Sequence, residues 1–166
     1  MFYEEKKKKE VKNEKEHNDP VLINQENIES KEIIQKLAFD KLVEIKNAKM
    51  NYDLDKIKSI TNDQLFDLYS RQINTLKENK QKNIVQKIEY IKSYITNINT
   101  NSNIQTINLR ITIKCFDYTV DKHNNVIKGY YNKKMLQTYE IEIKRDINLE
   151  DNCTVEKLEL LYERNI

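Results

Sequence analysis

The chain has 166 residues, which is enough for one ordinary domain and a tail. Charged residues make up 34% of it and hydrophobic residues 38%, so we expect part of the chain to stay outside a folded core. Its 29 basic and 27 acidic residues give a net charge of +2. This near balance argues against a nucleic-acid-binding protein, which would more often show a strong basic excess on one face.

The sequence lacks the usual marks of insertion or secretion. No apolar run approaches the ~20 residues that a membrane-spanning helix needs. The amino terminus is charged almost from the start, which does not fit a signal peptide. Cys115 and Cys153 are far apart and form no Cys-x-x-Cys motif, as is typical of a reducing compartment. We therefore expect a soluble or at most membrane-peripheral chain.

Residues 1–27 are predicted to be a charged, disordered tail. Glutamate and lysine are interleaved between Glu4 and Glu16, and Pro20 follows. A polybasic contact with a membrane or nucleic acid is the functional alternative. A solvated tether is favoured, because the acidic residues neutralise the lysines beside them.

Three helices are predicted after the tail. The first begins near Glu29, with Ser30 as its N-cap, and its apolar residues recur at helical spacing: Ile33, Ile34, Leu37, Ala38, Leu42, Ile45 and Ala48. The second is short, over Leu54–Ser59. Thr61 or Asn62 caps the third, which runs to about Lys80 and carries a stripe of Leu65, Phe66, Leu68, Tyr69, Ile73 and Leu76.

The rest of the chain is predicted to form an antiparallel sheet. A first strand over Ile84–Ile98 has Ile88, Tyr90 and Tyr94 on one phase. The stretch from Ile104 to Arg145 is typical of a long hairpin, because apolar and polar residues alternate strictly from Ile107 to Cys115. The large residues then change phase, to Phe116, Tyr118 and Val120, which predicts a bulge or bend near Cys115–Asp117. Asp121 opens the turn that follows.

The carboxyl-terminal segment, residues 149–166, is predicted to be an extension. Val155, Leu158, Leu161 and Tyr162 recur at helical spacing, so a short helix is favoured and a last strand is the alternative. Residues 28–148 then constitute the domain, an α+β fold with helices covering one face of a sheet.

Two stretches of the sequence resemble the Tim44-like domain family. The first runs from Ala48 to Leu65 and continues through Leu68, Tyr69, Gln72 and Leu76; it looks like the helix pair of that family. The second begins with the Asp-Tyr-x-x-Asp motif of Asp117–Asp121 and continues through Gly129 to the strand that ends at Arg145. The turn lacks its usual glycine, Ile143 stands where an aromatic residue is usual, and Cys153 alone cannot form the zinc ribbon that some bacterial relatives carry.

The resemblance implies a fold and a role. The namesake of the family is a peripheral subunit of the mitochondrial inner-membrane import motor, and bacterial relatives exist. The implied fold is a cone-like roll, similar to nuclear-transport-factor-two-like or cystatin-like domains, with helices on a curved antiparallel sheet and a cavity between them. The implied role is a non-enzymatic binding module, bacterial and associated with protein transport. It would be cytoplasmic or peripheral on the cytoplasmic or matrix face of a membrane, with a protein or anionic lipid as partner.

The only candidate for catalysis is Asp117. With Asp121 it flanks Tyr118, and a desolvated carboxylate could serve acid–base chemistry in a small-molecule-binding or hydrolytic enzyme. The favoured interpretation is structural: Asp117 stabilises the bulge and Asp121 opens the turn. No catalytic residue, cofactor site or metal site is therefore predicted.

One surface motif indicates contact with a partner or a membrane. Tyr130 and Tyr131 follow Gly129 and precede Lys133 and Lys134. Two aromatic rings beside two lysines near a hairpin end suit a membrane interface or a partner groove. An ordinary solvated edge is the alternative.

Overall fold

Helix α1 spans Pro20–Met50, α2 spans Leu54–Ile60 and α3 spans Asp63–Glu78. They belong to a computed structural model that describes residues 20–149 and 153–166, with side chains from Ser30 onward. The predicted tail, as far as residue 19, lies outside the described residues. Because α1 already begins at Pro20, Ser30 lies inside this helix and is not its N-cap.

Helices α2 and α3 both begin at a polar residue that caps the first turn. The side chain of Asp53 accepts a hydrogen bond of 3.1 Å from the backbone N–H of Lys56 at the start of α2. Asn62 accepts one of 2.9 Å from Leu65 at the start of α3, so Asn62 is the predicted cap. Its side-chain amide also donates to the backbone carbonyl of Glu156, at 3.0 Å. Asn62 thereby attaches α3 to the last strand.

Five strands form one antiparallel sheet in the order β1-β2-β4-β5, with β3 also paired to β2. Their bounds are Lys82–Asn101 for β1, Ile104–Val120 for β2, Val126–Gly129 for β3, Met135–Asp146 for β4 and Cys153–Asn165 for β5. Cys115 pairs with Met135 at one end of β4, and Tyr118 pairs with Gly129 of β3. β3 and β4 thus pair with β2 in succession along its length, with residues 130–134 between them.

The α+β fold predicted from the sequence is confirmed, with helices on one face of a curved sheet. Within residues 35–166, the core combines α1 residues Ala38, Leu42, Ile45 and Ala48 with the inward residues of β2 and β4, including Ile107, Leu109, Ile111, Ile113, Ile141 and Ile143. All of these side chains are at most 4% exposed. The alternation that predicted Leu109 and Ile113 to face the core is confirmed.

The phase change after Cys115 has a different origin from the predicted one. β2 runs without an extra residue from Phe116 to Val120, and the register shift lies on its neighbour β1, between Gln86 and Glu89. Asp117 and Cys115 both contact Gln137, so the inward alternation continues through Asp117. The large residues change phase because a polar residue occupies the inward position.

Two other strand predictions also need correction. Tyr90 pairs with buried Ile113 and stacks edge-on against Phe39, whereas Tyr94 pairs with exposed Arg110. The two tyrosines therefore face opposite sides, because a register shift follows Tyr90. In the carboxyl-terminal segment the favoured short helix is wrong and the alternative is right: β5 is a strand that pairs with β4.

Candidate functional site

A cavity of about 850 Å³ lies between the helices and the sheet. Its apolar lining comes from α1, α3 and β5, and includes Leu42, Ile45, Leu68, Leu76, Leu158 and Leu160. A group of polar residues comes from β2, β4 and the start of β1, and includes Asn83, Asp117, Gln137 and Tyr139. These three strands thus supply a polar floor, and α1, α3 and β5 supply walls that combine apolar with charged and polar residues.

Asp117 is the centre of the floor. One of its carboxylate oxygens lies 3.3 Å from the Nζ of Lys46 and accepts a hydrogen bond of 2.8 Å from Gln137. The other accepts one of 2.9 Å from Asn83. Burial alone would raise the pKa of Asp117, but the Lys46 ammonium and the amide donors outweigh it and lower that pKa below its ordinary value. Asp117 is therefore held ionised.

Gln137 joins the polar residues of the floor. Its side chain is 1% exposed. Its amide nitrogen donates hydrogen bonds to Asp117 and, at 3.2 Å, to Glu163. Its carbonyl oxygen accepts a hydrogen bond of 2.9 Å from the hydroxyl of Tyr139. Cys115 donates to the same oxygen at 3.5 Å. Because the amide has partners on both its ends, its orientation is fixed.

Lys46 reaches the floor from α1. Its Nζ also lies 5.1 Å from the ring centre of Tyr139, a cation–π distance. Burial would lower the pKa of Lys46, but Tyr139 and Asp117 more than offset that effect, and the pKa is raised above its ordinary value. Lys46 and Asp117 are thus a stable pair of opposite charges facing the cavity.

Further cations line the cavity besides Lys46. Lys49 lies one turn further along α1 and is half-buried, while Lys128 on β3 and Arg71 on α3 are exposed. The carboxylates in the lining are Asp117 and Glu163. Positive charge therefore exceeds negative charge in the cavity lining.

The predicted contact motif lies between β3 and β4. Tyr130 and Tyr131 are 44% and 66% exposed, and the Nζ of Lys133 lies 5.0 Å from the ring centre of Tyr130. Lys134 points elsewhere, to a carboxylate oxygen of Glu89 at 2.9 Å. The structure brings Tyr130 and Lys133 together and engages Lys134 with β1.

The metal-ligating side chains and the two thiols of the described residues can be assessed directly. No group of three or more His, Cys, Asp and Glu side chains among them could hold a metal ion. Cys115 and Cys153 are both buried, and burial raises the pKa of each thiol to about 11. These thiols are therefore poor nucleophiles and poor metal ligands.

A family model for the Tim44-like domain matches residues 8–154. This chain belongs to the Tim44-like domain family. Among solved structures, the intermembrane space region of chloroplast protein ARC6 is similar to it, with a TM-score of 0.48 and 7% sequence identity. That match covers 76% of this chain and 95% of the other. A comparison with curated proteins found no match.

The Asp-Tyr-x-x-Asp stretch of this Tim44-like domain divides into two roles. Asp117 faces the cavity and bonds side chains, so its predicted role in stabilising a bulge is wrong. Asp121 accepts hydrogen bonds from the backbone N–H groups of His123 and Asn125, at 2.8 and 3.0 Å, which confirms that it opens the turn. These N–H groups lower the pKa of Asp121.

Gly129 lets β3 approach β2 beside Asp117. Its φ of +78° favours glycine. A Cβ at this position would lie 2.6 Å from the backbone oxygen of Asp117 and 3.0 Å from the Cα of Tyr118. The only glycine of the chain is thus required by both its backbone angle and a close contact.

The sequence predicts few of the polar residues that line the cavity of this Tim44-like domain. Lys46, Asn83 and Gln137 are not among the candidate residues that its patterns indicate. One signal for Gln137 was present, because it lies two residues before Tyr139 and in phase with Ile141 and Ile143. A polar residue on the inward phase of a core strand indicates a buried network or a site.

Proposed function

We propose that this chain is a non-enzymatic binding module, peripheral to a membrane and associated with protein transport, that holds a partner segment or a lipid chain in the cavity. Its place would be the cytoplasm or the cytoplasmic or matrix face of a membrane. Membership of the Tim44-like family supports the membrane and transport part of this proposal. None of the helices within the described residues is both long and apolar enough to cross a bilayer.

The observation that carries the proposal is the cavity itself. Its volume of about 850 Å³ falls in the range of ligand sites, roughly 300–1,000 Å³. Leu68 and Leu160, which line it, are 39% and 41% exposed. When a ligand covers apolar side chains that are exposed in a cavity, it removes their surface from water, and this stabilises the complex.

The surface next to the cavity supports contact with a membrane or a partner. Ile127, which lines the cavity, is 50% exposed and is followed closely by Tyr130 and Tyr131. Lys133 adds positive charge, and a lysine near an anionic bilayer contributes about 1 kcal/mol. Contact through this segment would bring the cavity close to the bound surface.

The alternative, an enzyme using Asp117, has one observation in its favour: Asp117 faces the cavity. Its carboxylate, however, is held ionised by Lys46, Asn83 and Gln137. A general acid needs a raised pKa, and a general base needs an oxygen free to take a proton. The arrangement therefore supports binding over acid–base catalysis.

Two measurements test the proposal. Co-sedimentation with phosphatidylglycerol vesicles should exceed that with phosphatidylcholine vesicles and should weaken as salt is raised. The neutral apolar probe N-phenyl-1-naphthylamine should become fluorescent in the cavity of the wild type.

A matched pair of variants tests whether the probe binds in the cavity. Leu160→Arg places a charge in the cavity wall, whereas Tyr162→Arg changes the same strand at a side chain that does not line the cavity. The first should lose probe fluorescence and the second should keep it. Equal fluorescence in both variants would contradict a ligand-binding cavity, and salt-independent sedimentation would contradict an electrostatic membrane contact.

A further inference from the structure

Two lysines of the cavity form no ion pair with a carboxylate of the described residues. Lys46 has Asp117 at 3.3 Å, but neither Lys49 nor Lys128 has a carboxylate oxygen within 4.0 Å in that part of the chain. Both line the cavity. Lys49 is half-buried, so water screens its charge less than that of a surface lysine.

The ammonium groups also repel one another. Burial lowers the pKa of Lys49, and the nearby charges of Lys46 and Lys128 lower it further, while Asp117 acts in the opposite sense. A lysine whose pKa is lowered by other lysines lies in a region of positive potential. An anionic group placed there would relieve this repulsion.

Gln72 presents a separate unmet requirement. It lines the cavity from α3, and its Oε1 atom is buried and has no hydrogen-bond partner among the described residues. A buried acceptor without a donor is destabilising, so a ligand that supplies a donor is favoured. An acyl chain carries no N–H or O–H, and a lipid can donate only from the hydroxyl or amine of its headgroup, whereas a peptide carries a backbone N–H at almost every residue.

The remaining requirement is apolar. Leu68 and Leu76 of α3 face the same cavity as Leu158 and Leu160 of β5. A ligand that meets all three requirements combines an anionic group, a hydrogen-bond donor and an apolar group within the length of the cavity. A short peptide with an acidic residue beside an apolar residue has this combination.

We propose that the cavity binds an acidic, apolar peptide segment of a partner protein, with the acidic side chain at Lys49 and Lys128, a backbone N–H donated to Gln72, and an apolar side chain against the leucines of α3 and β5. This inference rests on the proposed function and specifies its ligand. Charge complementarity gives the segment its preference for the cavity, and the apolar contact contributes affinity.

Fluorescence anisotropy with labelled peptides tests the proposal on the full chain. The probes are capped Ala-Leu-Asp-Leu-Ala and Ala-Leu-Glu-Leu-Ala, each compared with its Asn or Gln counterpart. We expect the acidic peptides to bind about tenfold more tightly than their amide counterparts, since each tenfold corresponds to about 1.4 kcal/mol. The preference should disappear in the double variant Lys49→Gln/Lys128→Gln.

The matched control removes the same charge elsewhere. Lys92→Gln/Lys144→Gln changes two exposed lysines that do not line the cavity, and it should keep the preference. Gln72→Leu should weaken the binding of acidic and amide peptides equally. It removes the side-chain oxygen that accepts the N–H of the peptide backbone and leaves the charges of the cavity unchanged. Circular dichroism of each variant verifies that it is folded.

The outcomes separate this inference from the proposed function. Equal binding of acidic and amide peptides would overturn the proposal that the ligand is acidic. A preference for acidic peptides that survives the loss of Lys49 and Lys128 would overturn it too. So would anionic-vesicle binding that depends on Lys49 and Lys128 while no peptide binds, which would assign the lysines to a phosphate. In these cases the fluorescence of N-phenyl-1-naphthylamine, compared between wild type and Leu160→Arg, still tests the cavity as a binding site. If neither probe nor peptide enters it, both proposals fail.

Discussion

Lys46 on α1 and Asp117 on β2 form an ion pair, with 3.3 Å between Nζ and Oδ2 and both side chains at most 20% exposed. The two residues are 71 positions apart in the sequence. The pair joins a helix to the sheet at the cavity floor, and Gln137 and Asn83 each donate a further hydrogen bond to the carboxylate. It is therefore a structural device as well as a feature of the site.

Replacing Asp117 by Asn should destabilise the fold by about 1–3 kcal/mol, because Lys46 is left buried without its counter-charge. Urea unfolding followed by circular dichroism measures the loss. Asp40→Asn breaks the exposed pair with Lys36 and should cost less than about 0.5 kcal/mol. Equal losses in the two variants would show that the cavity pair contributes no more than a surface pair.

The contribution of Asp117 should depend on pH in a defined sense. Its pKa in the folded protein lies below the ordinary value of 3.8, so its stabilising effect is present above that value and is lost as pH falls through the folded pKa. The difference in free energy of unfolding between wild type and Asp117→Asn should be constant from neutral to mildly acidic pH and should shrink as pH falls below 3.8. A difference that grows on acidification would contradict the lowered pKa.

Substitution of Gly129 tests the close approach of β3 to β2. Gly129→Ala should destabilise the fold by at least about 1 kcal/mol, from the positive φ alone. Gly129→Asn separates the two causes, because Asn tolerates positive φ but also carries the Cβ that would meet the backbone oxygen of Asp117. We expect the Asn variant to be about as unstable as the Ala variant in thermal unfolding. A near-wild-type Asn variant would assign the whole effect to φ.

The lysines of the predicted contact motif should differ in their effect on vesicle binding. Lys133→Gln should weaken co-sedimentation with anionic vesicles by up to about fivefold, corresponding to ~1 kcal/mol. Lys134→Gln should have a smaller effect, because Lys134 is paired with Glu89. The reverse order would show that the Lys134–Glu89 pair opens at the membrane.

Both cysteines should resist thiol reagents in the folded protein. Cys115 and Cys153 are buried, and the pKa of each thiol is raised to about 11. Little reaction with 5,5′-dithiobis(2-nitrobenzoic acid) is expected at pH 8, and reaction of both thiols is expected in guanidinium chloride. Rapid reaction of the native protein would reveal local opening near one of them.

The sheet core was predictable because its residues follow a simple local rule. Ile107 to Ile113 alternate strictly, and each inward side chain is buried as that alternation predicts. The phase of β1 was not predictable, since its register shifts after Gln86, Tyr90 and Ile95 depend on pairing with β2. Alternation indicates a face only while the strand remains regular.

The cavity was hidden from the sequence for a related reason. Asp117 is a polar residue at an inward position, and the change of phase of the large residues around it predicts a bulge. The partners that explain its position, Lys46 and Gln137, are distant in the sequence. Lys46 lies on α1, whose mixture of acidic and basic residues resembles an ordinary solvated helix face. The phase change at Phe116 indicates a polar site on β2, and the backbone irregularity at the same level of the sheet lies on β1, between Gln86 and Glu89.

The register shifts of β1 also bear on how the chain behaves at high concentration. β1 is one of the two terminal strands of the sheet within the described residues, and a long terminal strand is a template onto which a second molecule can add another strand. The interruptions after Gln86, Tyr90 and Ile95, together with the positive φ of Lys87, break the regular spacing of its N–H and C=O groups. This irregular border therefore protects the protein against edge-to-edge aggregation.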